Sequence, residues 1–214
     1  MSTPQPWLEQ LIAWATPPAT KEDLLAARKD FFSRSGEVFD DDKQLEQRMA
    51  AFLEFYVCDR IAPHFGATPA RARYLEALQG ETPEQAAGWR AFTETNHGLF
   101  EVRRLRPVEI RLRGLFSGID FEVSERRHLV GIEVGDVLEC RLVPFGGLLH
   151  FSPSWCFHPH EAAKRIKAEA KRLRKAGQGD EAAFIADCAT RSLKADRYRQ
   201  ISVEKIYDFS SRLF

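Results

Sequence analysis

The hydrophobic period of this chain changes twice, and the two switches constrain its fold more than any other feature. Up to residue 98 apolar side chains recur at helical spacing, from Leu99 they alternate, and from Pro159 the helical spacing returns. Helices, then strands, then helices, each in a block, is the order of an α+β protein rather than of an alternating α/β one. The expected architecture is a small antiparallel sheet or barrel-like β-unit framed by N-terminal and C-terminal helices. Its parts are a helical region over 1–98, a β-rich unit over 99–158 and C-terminal helices over 159–214, together forming one compact domain.

Within the first block, Trp7, Leu8, Leu11, Ile12 and Trp14 share one helical face, and Thr16-Pro17-Pro18 stops that helix. Thr20 opens a second helix whose apolar face is Leu24, Leu25, Phe31 and Phe32, ended by Ser35-Gly36 and followed by an acidic loop from Glu37 to Asp42. A third helix over about 43–61 carries Leu45, Met49, Phe52, Leu53 and Tyr56 as a broad stripe. Thr68-Pro69 starts a short helix ended by Gly80. Thr82-Pro83-Glu84-Gln85 reads as a capping box with proline at the first helical position, and its helix buries Trp89 and Phe92.

In the second block Val108, Ile110 and Leu112 alternate with Glu109, Arg111 and Arg113, and Leu138, Cys140 and Leu142 with Glu139 and Arg141. That is the mark of strands with one face in a core and one in water. Turn residues at Arg106-Pro107, Ser117-Gly118, Gly135-Asp136 and Gly146-Gly147 divide the run into short strands. Phe145, Phe151, Trp155 and Phe157 at its end read mainly as packing groups. The third block predicts a helix to about Ala176, broken by Gly177-Gln178-Gly179, and two more over 181–195 and 202–213, the last presenting Val203, Ile206, Phe209 and Leu213.

The residues FLEFYVCDR (Phe52 to Arg60), LFEVRRL (Leu99 to Leu105) and the Gly135-Asp136-Val137 turn-strand carry a resemblance. Over roughly 45–157 the chain resembles a loose set of uncharacterised bacterial proteins, some of which carry a C-terminal SEC-C zinc motif. The resemblance implies an aromatic-rich helix leading into a compact β-unit. The zinc-binding C-x-C ending is absent here, so that role is not carried over.

Composition bounds the functional classes. With 44% hydrophobic residues, including 16 Phe and 4 Trp, a real core is expected. The 31 basic and 31 acidic residues balance, which argues against a globally nucleic-acid-binding or membrane-surface protein. No run reaches the length of a membrane span, and the N-terminus lacks the basic and apolar regions of a secretory signal. Cys58, Cys140, Cys156 and Cys188 are far apart, so free, mostly buried thiols in the cytoplasm are expected.

Charge is asymmetric in one place. Lys164, Arg165, Lys167, Lys171, Arg172, Arg174 and Lys175 face a single anion, Glu169, giving a local net of +6 over a thin stripe of Ile166, Ala170 and Leu173. Such a helix suits an acidic protein partner or an anionic membrane, and with Arg103, Arg104, Arg106, Arg111 and Arg113 on the strands it also suits nucleic-acid phosphates. The plain alternative is a solvated helix paired with the acidic loop. His150, Cys156, His158 and His160 are the only grouping with metal-ligand character, though their spacing is wrong for ordinary zinc modules. No metal or other cofactor is therefore expected, with His150, Cys156 and His158 as the weaker alternative. Asp59-Arg60 reads as a local ion pair or a clamp on the start of the sheet. There is no G-x-S-x-G, P-loop, G-x-G-x-x-G or H-E-x-x-H. The leading expectation is a non-enzymatic interaction or regulatory module for a protein partner. Nucleic-acid binding through the basic helix is second, and an enzyme with a site at the open end of the sheet, around His150 and His158, is third.

Overall fold

A computed structural model of the chain describes residues 3–125, 131–177 and 179–210. Five strands, β1 (Asn96–Arg106), β2 (Glu109–Gly114), β3 (Asp120–Ser124), β4 (Val137–Phe145) and β5 (Leu148–Phe157), close into a barrel in the order β1-β2-β3-β5-β4. Four of the five junctions are antiparallel, as the alternation implied, but β3 meets β5 in parallel at Val123↔Leu149 and Ser124↔His150. A wholly antiparallel ring is impossible here: directions cannot alternate around an odd number of strands, so one junction must run parallel. Bulges between Val102 and Arg104 and between Cys140 and Leu142 add the bending that closure of so small a barrel demands.

Alternation fills the barrel. Phe100, Val102, Ile110, Leu112, Val123, Leu138, Cys140, Leu142 and Phe151 point inward as one cluster. Val108 instead sits in the turn ahead of β2 and is exposed.

The N-terminal helices are α1 (Gln5–Ala15), α2 (Lys21–Ser35), α3 (Leu45–Cys58), α4 (Pro69–Gly80) and α5 (Pro83–Arg90). The expected capping box is present: the Thr82 amide donates to Gln85 Oε1 at 3.0 Å and the Gln85 amide donates to Thr82 Oγ1 at 3.3 Å. These helices bury Leu8, Leu11, Phe32, Phe52, Trp89 and Phe92 in a core that reaches Val143 and Phe145 of β4. Leu25, expected in the apolar face of α2, points to solvent.

Three C-terminal helices complete the fold: α6 (Ala163–Ala176), α7 (Glu181–Arg197) and α8 (Val203–Ile206). Gly177 ends α6 in the left-handed region, with φ 62°. The last helix is shorter than 202–213, and Leu213 and Gln178 lie outside the described residues. Ile166 and Ala170 of α6, Phe184, Ile185 and Cys188 of α7, and Ile206 join Leu99 and Val137 in a second core against the barrel wall. With α2 against α7 and α3 against β5, helices from both ends of the chain cover one side of the barrel.

A candidate site in the buried polar layer

Covering one side of a barrel buries the outer as well as the inner side chains of its strands. Every residue of β4 but Pro144 is buried, including Glu139 and Arg141. The sequence placed these two on a solvated face; instead they meet α3, which brings Arg48 and Glu54 from within its own apolar stripe. Ser152, Ser154 and His158 of the β5 segment and Ser192 of α7 complete a dry polar layer between barrel and helices. Groups so placed must find partners, because water does not reach them.

One half of the layer is densely engaged, though Arg141 Nε has no hydrogen-bond partner. Glu54 accepts hydrogen bonds from Ser152 Oγ at 2.8 Å, Ser154 Oγ at 2.6 Å and the Ser154 amide at 3.1 Å, and its Oε2 lies 3.4 Å from Arg141 Nε. Arg141 also forks onto Asp59 and donates to Thr95 Oγ1 at 2.8 Å. Burial pushes the Glu54 carboxyl up, against the pull of Arg141 and the serines. Arg141 is held charged: burial opposes its charge, but Cys58, Asp59 and Glu54 together raise it. Asp59 thus clamps the barrel to α3 through Arg141, while its neighbour Arg60 donates to Asp23 of α2 at 2.8 Å. The Asp59-Arg60 ion pair does not form. Glu54 and Asp59 have the wrong spacing to meet on a helix, yet one arginine from β4 joins them.

The other half is left open. His97 Nε2 lies 3.1 Å from Glu139 Oε1, and His158 Nδ1 lies 3.0 Å from the Tyr207 hydroxyl. Glu139 Oε2 and His158 Nε2 are buried and have no hydrogen-bond partner, as is Arg48 Nε. Arg48 is fixed by a bond from Nη2 to the Ser35 carbonyl at 2.6 Å and by the faces of Phe31 and Phe32. Glu139, Cys156 and His158 present ligand atoms that all lie within 4.8 Å of one another. Burial pushes the Cys156 thiol up to about 12 and the His158 imidazole down to about 4, the latter partly offset by Glu139. Burial also works against the Glu139 carboxylate, but His97, Arg48 and His158 together hold it below its usual range.

Of the ligand set read from sequence, Cys156 and His158 are brought together and His150 is not. His150 pairs with Val143 near the far end of β5, whereas Cys156 pairs with Glu139. At roughly 3.3 Å per strand residue those positions are about 20 Å apart. His160 lies apart as well, its Nδ1 2.6 Å from Asp136 Oδ1. Glu139 takes the third place. Its only signal in the sequence was alternation, which looked like a solvent-facing pattern.

The enzyme site expected at the open end of the sheet divides for the same reason, with His150 at one end of β5 and His158 beyond the other. A groove of about 640 Å³ does open near His150, lined by Val108, Glu109, Glu122, Ser124, Leu148 and Leu149. Of these only Glu109 and Glu122 are ionisable, and Arg104 takes both.

The basic side chains fall into two groups. On the strands, Arg103 pairs with Glu101, Arg104 and Arg106 with Glu109, and Arg111 and Arg113 with Asp120. The five arginines share Glu101, Glu109, Glu122 and Asp120, so each has a carboxylate within reach while the face keeps an excess of positive charge. On α6, Lys167 donates to Glu101 Oε1 at 2.9 Å, tying the helix to β1, and Arg172 pairs with Glu169. Lys164, Arg165, Lys171, Arg174 and Lys175 are exposed, and no carboxylate of the described residues stands within ion-pair distance of them. The acidic loop does not serve them: Asp42 and the Glu37 carbonyl are taken by Arg197 of α7.

The fold and its buried layer define a helix-wrapped, five-stranded closed barrel of α+β class, with a polar seam between barrel and helices. Among the described residues no helix is long and apolar enough to cross a membrane. The chain belongs to a family of unknown function, DUF7986, whose model matches residues 24–186, from within α2 through the whole barrel to the first residues of α7. No curated protein and no solved structure matches it.

Proposed function

We propose that the chain is a non-enzymatic interaction module that holds an acidic protein partner through α6 and the barrel surface beside it. The observation that carries this reading is the set of five exposed cations, none in an ion pair among the described residues, on a helix whose opposite face is firmly seated. Ile166 and Ala170 are buried in the core beneath, and Lys167 is anchored to Glu101. A helix fixed in this way presents its charge without first having to be ordered, which favours binding. The Arg174 guanidinium lies over the Gly118 turn, so the basic stripe continues onto the β2–β3 edge. Engagement of each strand arginine by a carboxylate argues for a compact acidic patch on a protein over the long phosphate track that several free arginines would follow. The four free cysteines fit a reducing, cytoplasmic setting.

The test compares binding of a glutamate-rich peptide, duplex DNA and anionic vesicles at low and moderate salt. The wild-type chain is expected to retain the peptide best, with affinity falling as salt rises. The triple variant Lys171→Glu, Arg174→Glu, Lys175→Glu is expected to lose it with an unchanged melting temperature. Equal retention by the triple variant, or tighter binding of DNA than of peptide, refutes the reading.

A further inference from the structure

We propose that Glu139, Cys156 and His158 form a three-donor site for a borderline divalent cation of the zinc class, set in the seam between barrel and helices. The inference goes beyond the docking role of α6 and rests on none of its residues. A carboxylate, a thiol and an imidazole make a donor set suited to such an ion, and three protein donors leave a fourth position for water or a small ligand. Here they converge from adjacent strands: β4 and β5 pair Glu139 with Cys156, and His158 follows directly, its amide bonded to the Val137 carbonyl at 3.2 Å.

The spacing carries the argument. Donors held at ~2.0–2.3 Å from a tetrahedral ion stand roughly 3.3–3.8 Å from one another. Glu139 Oε2 and His158 Nε2 make no hydrogen bond, yet one donor atom from each of the three residues falls within 4.8 Å of the others, a gap that an ion closes with small side-chain movements. Both atoms are without partners in residues more than nine-tenths buried, which a fold ordinarily avoids.

The outer partners are also those a metal site needs. His158 meets Tyr207 through Nδ1, which turns Nε2 toward the donors, and Glu139 uses Oε1 for His97, leaving Oε2 for an ion. A small void of about 10 Å³ beside the donors is lined by Cys156, Glu139, Arg48 and Gln47, and Gln47 is exposed. On binding, the Cys156 thiol releases its proton to solvent and its thiolate, with the Glu139 carboxylate, balances the charge of the ion. Arg48 also faces Glu139, so only an ion that takes up both anionic donors is tolerated beside that guanidinium.

The experiment uses the full chain, stripped with a chelator and titrated with Co²⁺, then with competing Zn²⁺. The expected result is one Co²⁺ per chain, a sulfur-to-cobalt charge-transfer band, visible absorption of tetrahedral type, and loss of both on addition of Zn²⁺. Cys156→Ser should abolish the charge-transfer band. Tyr207→Phe should weaken binding about 10-fold. Glu139→Gln and His158→Gln should weaken it more, while His150→Ala binds as wild type. Zn²⁺ should also raise the melting temperature of the wild-type chain and not that of Cys156→Ser. The proposal is overturned if wild-type protein shows no charge-transfer band at saturating Co²⁺, which needs no variant to fold, or if the band survives Cys156→Ser. Loss of binding in His150→Ala alone would equally refute it.

Discussion

The barrel has two outer faces built from the same alternating pattern, and they end in opposite environments. On β1, β2 and β3 the outward arginines meet carboxylates of their own or a neighbouring strand in water, and most of these side chains stay substantially exposed. On β4 and β5 the outward Glu139, Arg141, Ser152 and Ser154 lie beneath helices from both ends of the chain and are almost wholly dry. Opposite charges meet on each face, yet the consequences differ. The exposed pairs are screened and replaceable by water. The covered ones must be complete, or the remaining partner is left charged in a poor solvent.

The sharpest way to break this contrast is to remove the arginine at its centre. Arg141→Met keeps most of the side-chain volume but leaves Glu54 buried without its counter-ion and frees Asp59 from its clamp. A loss of about 3–5 kcal/mol in urea-induced unfolding is expected. A cost no larger than that of Arg111→Ala on the exposed face would show that burial does not distinguish the two. Smaller, and specific to the dry seam, is Ser154→Ala. It removes the 2.6 Å bond from its hydroxyl to Glu54 and should cost about 1–3 kcal/mol, because no water replaces the donor. Arg103→Ala, which breaks an exposed pair with Glu101, should cost less.

The contrast also marks what the sequence could show. Alternation correctly separated Leu138, Cys140 and Leu142 from Glu139 and Arg141, and it identified the barrel interior. It could not say whether the polar side faced water or a helix, because the covering residues come from α3 and α7, far away along the chain. A trace of the answer was present in α3. Arg48 and Glu54 lie among Leu45, Phe52, Phe55 and Tyr56, and charges within a core-facing stripe need buried partners elsewhere. The same limit explains the ligand set. Cys156 and His158 were visible as neighbours, but Glu139 joins them only through strand pairing, and His150 is carried away by the length of β5. The blocks of helix and strand were legible because period and caps are local; the parallel closure of β3 on β5 was not, since it follows from strand number and order.

Arg197 of α7 holds the acidic loop through Asp42 and the Glu37 carbonyl. The bond from Arg197 keeps the Asp42 carboxyl below its ordinary value, with a further contribution from the Phe39 amide. A carboxyl with a lowered value in the folded state contributes stability that is complete above the unfolded-state value, near 3.8. That contribution is lost as pH falls through the lower folded-state value. Asp42→Asn should therefore cost about 1 kcal/mol at neutral pH, and its stability should converge with that of wild type in acid. Parallel stability curves over the acid range would remove Asp42 from the cover's attachment.

The smallest effect is expected on the exposed face and tests the other half of the comparison. Arg111 donates to Asp120 at 2.9 Å across the β2–β3 pair, and both side chains remain about a third exposed or more. A double-mutant cycle with Arg111→Ala and Asp120→Ala should give a coupling of about 0.2–1 kcal/mol at low salt. At 1 M salt, where screening acts over roughly 3 Å, most of that coupling should vanish. The coupling between Arg141 and Glu54, shielded from ions by the helices, should hardly change over the same range. Salt sensitivity thus separates the two faces without reference to absolute stability. If the Arg111–Asp120 coupling is large and insensitive to salt, that face is not open to solvent; it is covered by something the isolated chain does not supply.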